Sequence, residues 1–381
     1  MISVLYDGWP LIYEPESLST MHLLTLLAYI PPQVNPVVAL PAPAPSWLPD
    51  VTTLVKETPN NSLAKLVWEQ IVLPGLSRKL NIQLLHLTSK NIPFVRADIS
   101  VISPAIYDFL PGHSYSAASS ADLVPRNLSR QADDRFIDRI RAALSQGGLV
   151  RARTVFWPED IAGMELSLPI TPLPPAIHPG FLPKKPESPQ SGLHDANIEL
   201  PDAYILYHGP FDTRSIYRLL KAWSWAAGPI GEQFPLLLLG VSLNQRRQIE
   251  SILAKTDFGT TIQFALDIPP PIIPVIYQNC SALIHPTEAS PWDGPIRFAM
   301  VCGKPIISVE SPMVKAIVGP AAYLAPMDDD RTIGAGIISV IVEEEFWMNL
   351  AEAARKRSAA WISKDFSKSL LTAYQQLAEI K

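Results

Sequence analysis

The chain alternates short, wholly apolar runs with longer stretches in which apolar residues recur at helical spacing. In the first half, runs at 2–6, 37–40, 82–86, 99–102 and 154–157 predict buried strands, and stretches at 21–29, 63–80 and 128–146 predict helices. The helix over 63–80 should bend or end at Pro74, and the one over 128–146 is closed by Gly147 and Gly148. The second half repeats the alternation, with strands over 203–209, 234–240, 261–266, 282–285 and 304–308. Helices fall over 214–227 and 244–254, one ends at 277–280, and amphipathic helices over 346–361 and 366–377 close the chain. Alternation of this kind predicts an α/β architecture of parallel, doubly wound sheets.

One stretch, 274–307, already locates a ligand edge. It reads as helix, strand, loop, helix, strand, with Asp293 as N-cap, Pro295 just inside the second helix and Gly303 just past its end. In a parallel sheet such a loop and helix start lie at the carboxyl edge of the strands, where nucleotides and other anions are held.

At these residues the chain resembles the carboxyl-terminal domain of retaining GT-B glycosyltransferases of the family 4 type. Pro286-Thr287, Pro295, Ala299-Met300, Cys302-Gly303 and Pro305-Ile306-Ile307 hold the family's register. Two glutamates of the motif, with seven residues between them, fall on Ser290 and Phe298. The turn after the domain's first strand, where the family places a diphosphate-binding Arg and Lys, carries Pro210 and Ser215. The resemblance therefore implies GT-B, two Rossmann-like domains facing a cleft, with degenerate active-site motifs.

Within that frame the donor-side candidates are His208, Arg214, Arg218, His285, Glu288, Trp292, Gly294 and Arg297. Arg214 and Arg218 are substitute cations for the diphosphate or else exposed surface charges. Glu288 lies two residues before the first lost glutamate and either reaches a sugar or is solvated. Trp292 either stacks on a base or sugar or plugs the pocket. Arg297 reaches an anion or lies on the surface, and the two histidines at strand ends face the cleft or are simply hydrogen bonded. On the acceptor side the positions are Gly8, Trp9, Ser19 and Ser103. Here Ser17-Leu18-Ser19-Thr20 replaces the family's glycines, and Ser103-Pro104 replaces its His-Asp pair.

Length and composition narrow the rest. A chain of 381 residues exceeds one core, so two domains are expected. The boundaries read as 1–183 for the acceptor-side domain, 184–201 for a linker, 202–365 for the nucleotide-sugar domain and 366–381 for a helix crossing back. Proline, at 39 residues, is about twice as frequent as usual and clusters from Pro31 to Pro49 and from Pro169 to Pro201, the second cluster supplying the stiff linker. A net charge of −5 gives no basic field, which argues against nucleic acid. No apolar run is long enough to span a bilayer, and the start reads as a strand, not a signal peptide. Two cysteines are too few for a disulfide framework, so a cytoplasmic setting is expected. No zinc spacing, P-loop or Gly-x-Ser-x-Gly pattern is present, and no metal or cofactor is expected. Two functions follow: retaining transfer from a nucleotide-diphosphate sugar to a glycan or lipid acceptor, with peripheral membrane contact allowed, or an inactive GT-B subunit that binds a protein partner.

Overall fold

A computed structural model of the protein describes residues 1–88, 93, 100–102, 137, 140, 153–161, 169–182, 199–292, 294–362 and 365–379. Two parallel sheets organise it. The first runs β3-β2-β1-β4-β5-β6-β7, built from β1 (Ile2–Asp7), β2 (Val34–Leu40), β3 (Thr52–Val55), β4 (Leu84–Leu87), β5 (Ser100–Ile102), β6 (Thr154–Pro158) and β7 (Ile170–Leu173). The second runs β10-β9-β8-β11-β12-β13, from β8 (Ile205–Tyr207), β9 (Leu236–Leu239), β10 (Ile262–Ala265), β11 (Ala282–His285), β12 (Ile306–Val309) and β13 (Ala322–Ala325). Strand order reverses between β1 and β4 and again between β8 and β11. Those two switch points are where an open α/β sheet presents its ligand crevice.

Alternate residues of the second sheet's central strands enter different cores, as expected of strands buried on both faces. Ile205, Tyr207, Leu236 and Leu238 pack into one core, beneath the helices Thr213–Ile230 and Asp330–Val342. Leu206, Leu237, Leu239 and Leu283 face the other way and join a core that is continuous with the first sheet, through Trp292, Phe298, Phe181 and Met21. The lobes are thus welded along an apolar seam.

The expected α/β alternation is present, with informative departures. The edge strands β3 and β7 were not expected, because they sit beside or within the proline clusters; Pro172 of β7 pairs with Trp157, and an edge strand tolerates a residue that donates no ladder bond. The helix expected to begin at 21 begins at Leu18, because Ser17 Oγ accepts from the Thr20 amide. Around Pro74 the helix does not break: Ser62–Val67 passes through a π-helical turn, Trp68–Val72, into Leu73–Lys79, where Pro74 occupies a first-turn position that needs no donor. The stretch 128–146 lies outside the described residues except for Ile137 and Ile140, both helical. Positions 183–198 lie outside them too.

The last helix, Asp365–Glu379, returns to the first sheet. Its Tyr374 hydroxyl lies 2.6 Å from His86 Nδ1 and 2.8 Å from the Tyr6 hydroxyl, all three groups buried. Burial, with His22 nearby, holds His86 well below the usual imidazole range, so the ring is neutral and the Tyr374 hydroxyl bridges it to the Tyr6 hydroxyl. Tyr374→Phe strands two buried polar groups and should cost about 2 kcal/mol, whereas Tyr6→Phe removes only the end of the chain and should cost about 1. Urea unfolding followed by tryptophan fluorescence checks the order.

Candidate functional site

The loop leaving β11 is tied to itself before it reaches the cleft. His285 Nε2 lies 3.2 Å from the Glu288 carbonyl, and Ser308 Oγ donates to the His285 carbonyl at 2.6 Å. The Glu288 carboxylate turns away toward the helix Pro312–Val318, accepting from the Ser311 hydroxyl and, at 3.2 Å, from the Ala289 amide. Trp292 then crosses to the first lobe. Its indole N–H donates to the Phe156 carbonyl at the end of the first sheet at 2.9 Å, its ring sits 5.3 Å from that of His22, and it is 5% exposed.

The helix Gly294–Val301 completes the closure. Phe298, where the motif would place its second glutamate, stacks on Phe181 with ring centroids 4.1 Å apart and meets Tyr277 edge-on at 5.6 Å. Ser290, at the first glutamate position, is buried as well. A Cβ on Gly294 would lie 2.9 Å from the Phe298 ring, so that glycine makes room for a phenyl group of its own helix. What remains between Leu18, His22, Ala176, Trp292, Gly294 and Phe298 is a cavity of about 10 Å³, room for a single water. Small-molecule sites need about 300 Å³ or more.

Arg297 is 1% exposed, not a surface residue. Its guanidinium forks onto Asp160 of the first lobe at 2.8 and 2.9 Å and lies 4.6 Å from the ring centroid of Trp361, whose own N–H also donates to Asp160. A bidentate carboxylate and an aromatic face are what a buried guanidinium requires. Three distant segments meet here.

Residues 195–357 match the family described as glycosyl transferases group 1. Over that stretch the second lobe is similar to a group 1 glycosyltransferase domain. The fold of the whole chain is GT-B: sucrose-phosphate synthase from Thermosynechococcus elongatus superposes with a TM-score of 0.65 at 17% identity, covering 99% of both chains. HepE from Anabaena, solved with UDP and glucose, superposes with a TM-score of 0.62 at 12% identity, covering 99% of this chain and 100% of that one. A curated relative, O-antigen chain mannosyltransferase B of Escherichia coli, is 24% identical over 162 residues, 42% of this chain. The chain spans 42% of that relative's length.

The remaining candidates of the second lobe are dispersed. His208, after β8, is fixed by the Tyr277 hydroxyl 2.8 Å from Nδ1 and by the Glu16 carbonyl of the first lobe 2.9 Å from Nε2. Arg218 pairs with Asp328 at 2.6 Å, and Arg214 is exposed; with Tyr217, Lys221 and Asp330 they line a separate surface hollow of about 320 Å³. On the other lobe, a Cβ on Gly8 would lie 2.5 Å from the Ala39 carbonyl, so this glycine serves the packing of β1 on β2. Trp9 is buried between Tyr13 and Trp68, and Ser19 is buried in its helix. Ser103 lies outside the described residues. Among the described residues no group of three or more His, Cys, Asp or Glu could hold a metal.

Sequence reading missed Asp160, Glu16 and Asp7. Asp7 closes β1, and its Oδ1 accepts from Trp68 Nε1 at 2.8 Å and the Trp9 amide at 3.0 Å. Burial outweighs both bonds and raises its carboxyl to about 6. Asp160 had no local signal, since its partners lie 137 and 201 positions away. Removing one member of a buried ion pair leaves an uncompensated charge, so Arg297→Met should cost about 3 kcal/mol and the further change Asp160→Leu should recover most of it. Thermal and urea unfolding of both variants measure this.

Proposed function

We propose that this protein retains the two-lobed frame of a nucleotide-sugar transferase, holds its donor edge shut with its own side chains, and serves as a non-catalytic binding or scaffold subunit. The observation that carries this reading is the cavity of about 10 Å³ left where Trp292, Gly294 and Phe298 meet the first lobe. The chemistry of the walls agrees with it. A departing diphosphate needs cations and free N–H donors, yet Arg297 is held by Asp160 and Arg218 by Asp328. Pro291 and Pro295 offer no amide in the loop and helix start that would face the phosphates.

A second reading is favoured by the group 1 match, which supports nucleotide-sugar glycosyl transfer. On it, the lobes part, Arg214 and Arg218 meet the diphosphate in place of the missing motif cations, and the sugar passes with retention to a glycan or lipid acceptor. Parting requires breaking the Arg297–Asp160 fork and withdrawing Trp292 from the Phe156 carbonyl.

Among the described residues no helix is long and apolar enough to cross a membrane. A cytoplasmic location is supported by two free cysteines whose thiols burial pushes up, that of Cys280 to about 12, so neither is readily drawn into exchange. Isothermal titration with UDP, GDP and their sugars should give no binding heat at millimolar ligand. A dissociation constant in the micromolar range together with release of nucleoside diphosphate would establish transfer instead.

A further inference from the structure

The helices Thr213–Ile230 and Asp330–Val342 cover the face of the second sheet opposite the seam. The surface hollow of about 320 Å³ is built on their first turns, and it meets the small-molecule volume that the donor edge falls far below. Along the first helix Arg214, Tyr217, Arg218, Lys221 and Trp225 fall within about 100° of arc. Two large aromatic side chains on that arc are left in solvent, Tyr217 at 56% and Trp225 at 52% exposure. They stand about 12 Å apart along the helix axis. A Cβ on Gly334 of the second helix would lie 2.5 Å from the Trp225 Cβ, so that glycine lets the indole lie close against its neighbour. Each ring has a cation beside it, Lys221 Nζ 4.7 Å from the Tyr217 centroid and the Arg331 guanidinium 5.4 Å from that of Trp225, yet both rings stay half exposed.

The hollow joins these rings to polar partners of both kinds. Arg214, Arg218 and Lys221 supply donors, and Asp328 and Asp330 supply acceptors. Arg218 gives one N–H to Asp328 Oδ1 at 2.6 Å, and Lys221 lies a loose 3.9 Å from Asp330. A guanidinium and a carboxylate so paired keep further donors and lone pairs for a ligand. An anion would use the donors alone and meet Asp328 and Asp330 as like charges. A hydroxyl both donates and accepts, so neighbouring hydroxyls of one sugar ring can bridge cation and carboxylate without separating them.

We propose that this hollow is a binding site for a neutral oligosaccharide. Tyr217 and Trp225 are the platforms on which the apolar faces of separate sugar units stack, and the Arg218–Asp328 and Lys221–Asp330 pairs receive the hydroxyls between them. Trp225 lies one turn beyond Lys221, so the glycan runs out of the hollow along the helix, and a single sugar ring cannot span both platforms. The inference rests on the reading of a binding subunit and names the class of molecule that it binds.

The test adds maltohexaose, cellohexaose or mannohexaose to the deuterated, ¹⁵N-labelled full chain and follows the Trp225 indole N–H resonance, assigned by its loss in Trp225→Phe. At least one hexaose should shift it with a dissociation constant in the millimolar range or tighter, and inorganic phosphate at the same concentrations should not. Tyr217→Ala should weaken that hexaose about tenfold, and by calorimetry Trp225→Ala should weaken it more than Trp225→Phe, which keeps a ring. Both side chains are half exposed, so thermal unfolding of the variants should stay close to the wild type. No shift with any of the three hexaoses, an affinity unchanged in Tyr217→Ala, or a response to phosphate in place of the hexaoses would each overturn the proposal, the last assigning the hollow to an anion. Binding of UDP by a wild type that still answers to the hexaose would instead overturn the shut-edge reading and leave this site standing.

Discussion

The structure turns on a buried guanidinium. Taking Arg297 out of water is costly by several kcal/mol, and only good geometry offsets it. The fork onto Asp160 and the face of Trp361 provide that geometry, and each comes from a different part of the chain: the helix that opens the group 1 loop, the segment after β6, and the turn before the last helix. Once those three are fixed together, the lobes cannot drift apart without exposing an unpaired charge. The apolar contacts nearby, Trp292 on the first lobe and Phe298 on Phe181, are then held in register and help keep water from the guanidinium, while Asp160 stays 22% exposed. Excluding water strengthens the ion pair in turn, so clamp and seam support one another.

The seam changes the electrostatics of the cleft. A donor site needs positive groups left unsatisfied by the protein, waiting for phosphate. This chain satisfies them internally. Arg297 has its carboxylate, Arg218 has Asp328, and the Ile268 amide has Glu16. The histidines that close β8 and β11 are bound to the Glu16 and Glu288 carbonyls. Each group taken singly resembles ordinary structural bonding. Together they occupy the edge that the topology reserves for ligand, and they do so with groups of the chemistry a ligand would bring.

How much of this was legible in the sequence depended on range. Central strands and the loop at 287–294 could be read because burial on both faces leaves uninterrupted apolar runs and because Gly and Pro mark the boundaries. The edge strands β3 and β7 could not, since four residues beside prolines carry no periodicity. Among site residues, the loss of two carboxylates at Ser290 and Phe298 was plain from register, and the plug reading of Trp292 was open from the start. The partners were hidden. Glu16 meets Ile268 across 252 positions and Arg297 meets Asp160 across 137, and no local pattern encodes contacts that only the closed lobes create. Arg297 could be read only as an anion contact or a surface cation because its sequence neighbours say nothing of a carboxylate on another lobe.

The same coupling makes the departure from the group 1 motif hard to reverse one residue at a time. Restoring a carboxylate at Phe298 would bury a charge between Phe181 and Tyr277, with a cavity of only about 10 Å³ to admit water. An unpaired buried carboxylate takes up a proton or forces the structure open. Opening would require freeing Arg297 from Asp160, and that arginine sits on the very helix that carries Phe298. The phenyl stack, the ion-pair clamp and the indole plug therefore depend on one another: each makes the other two easier to keep, and a functioning donor site would have to undo all three together.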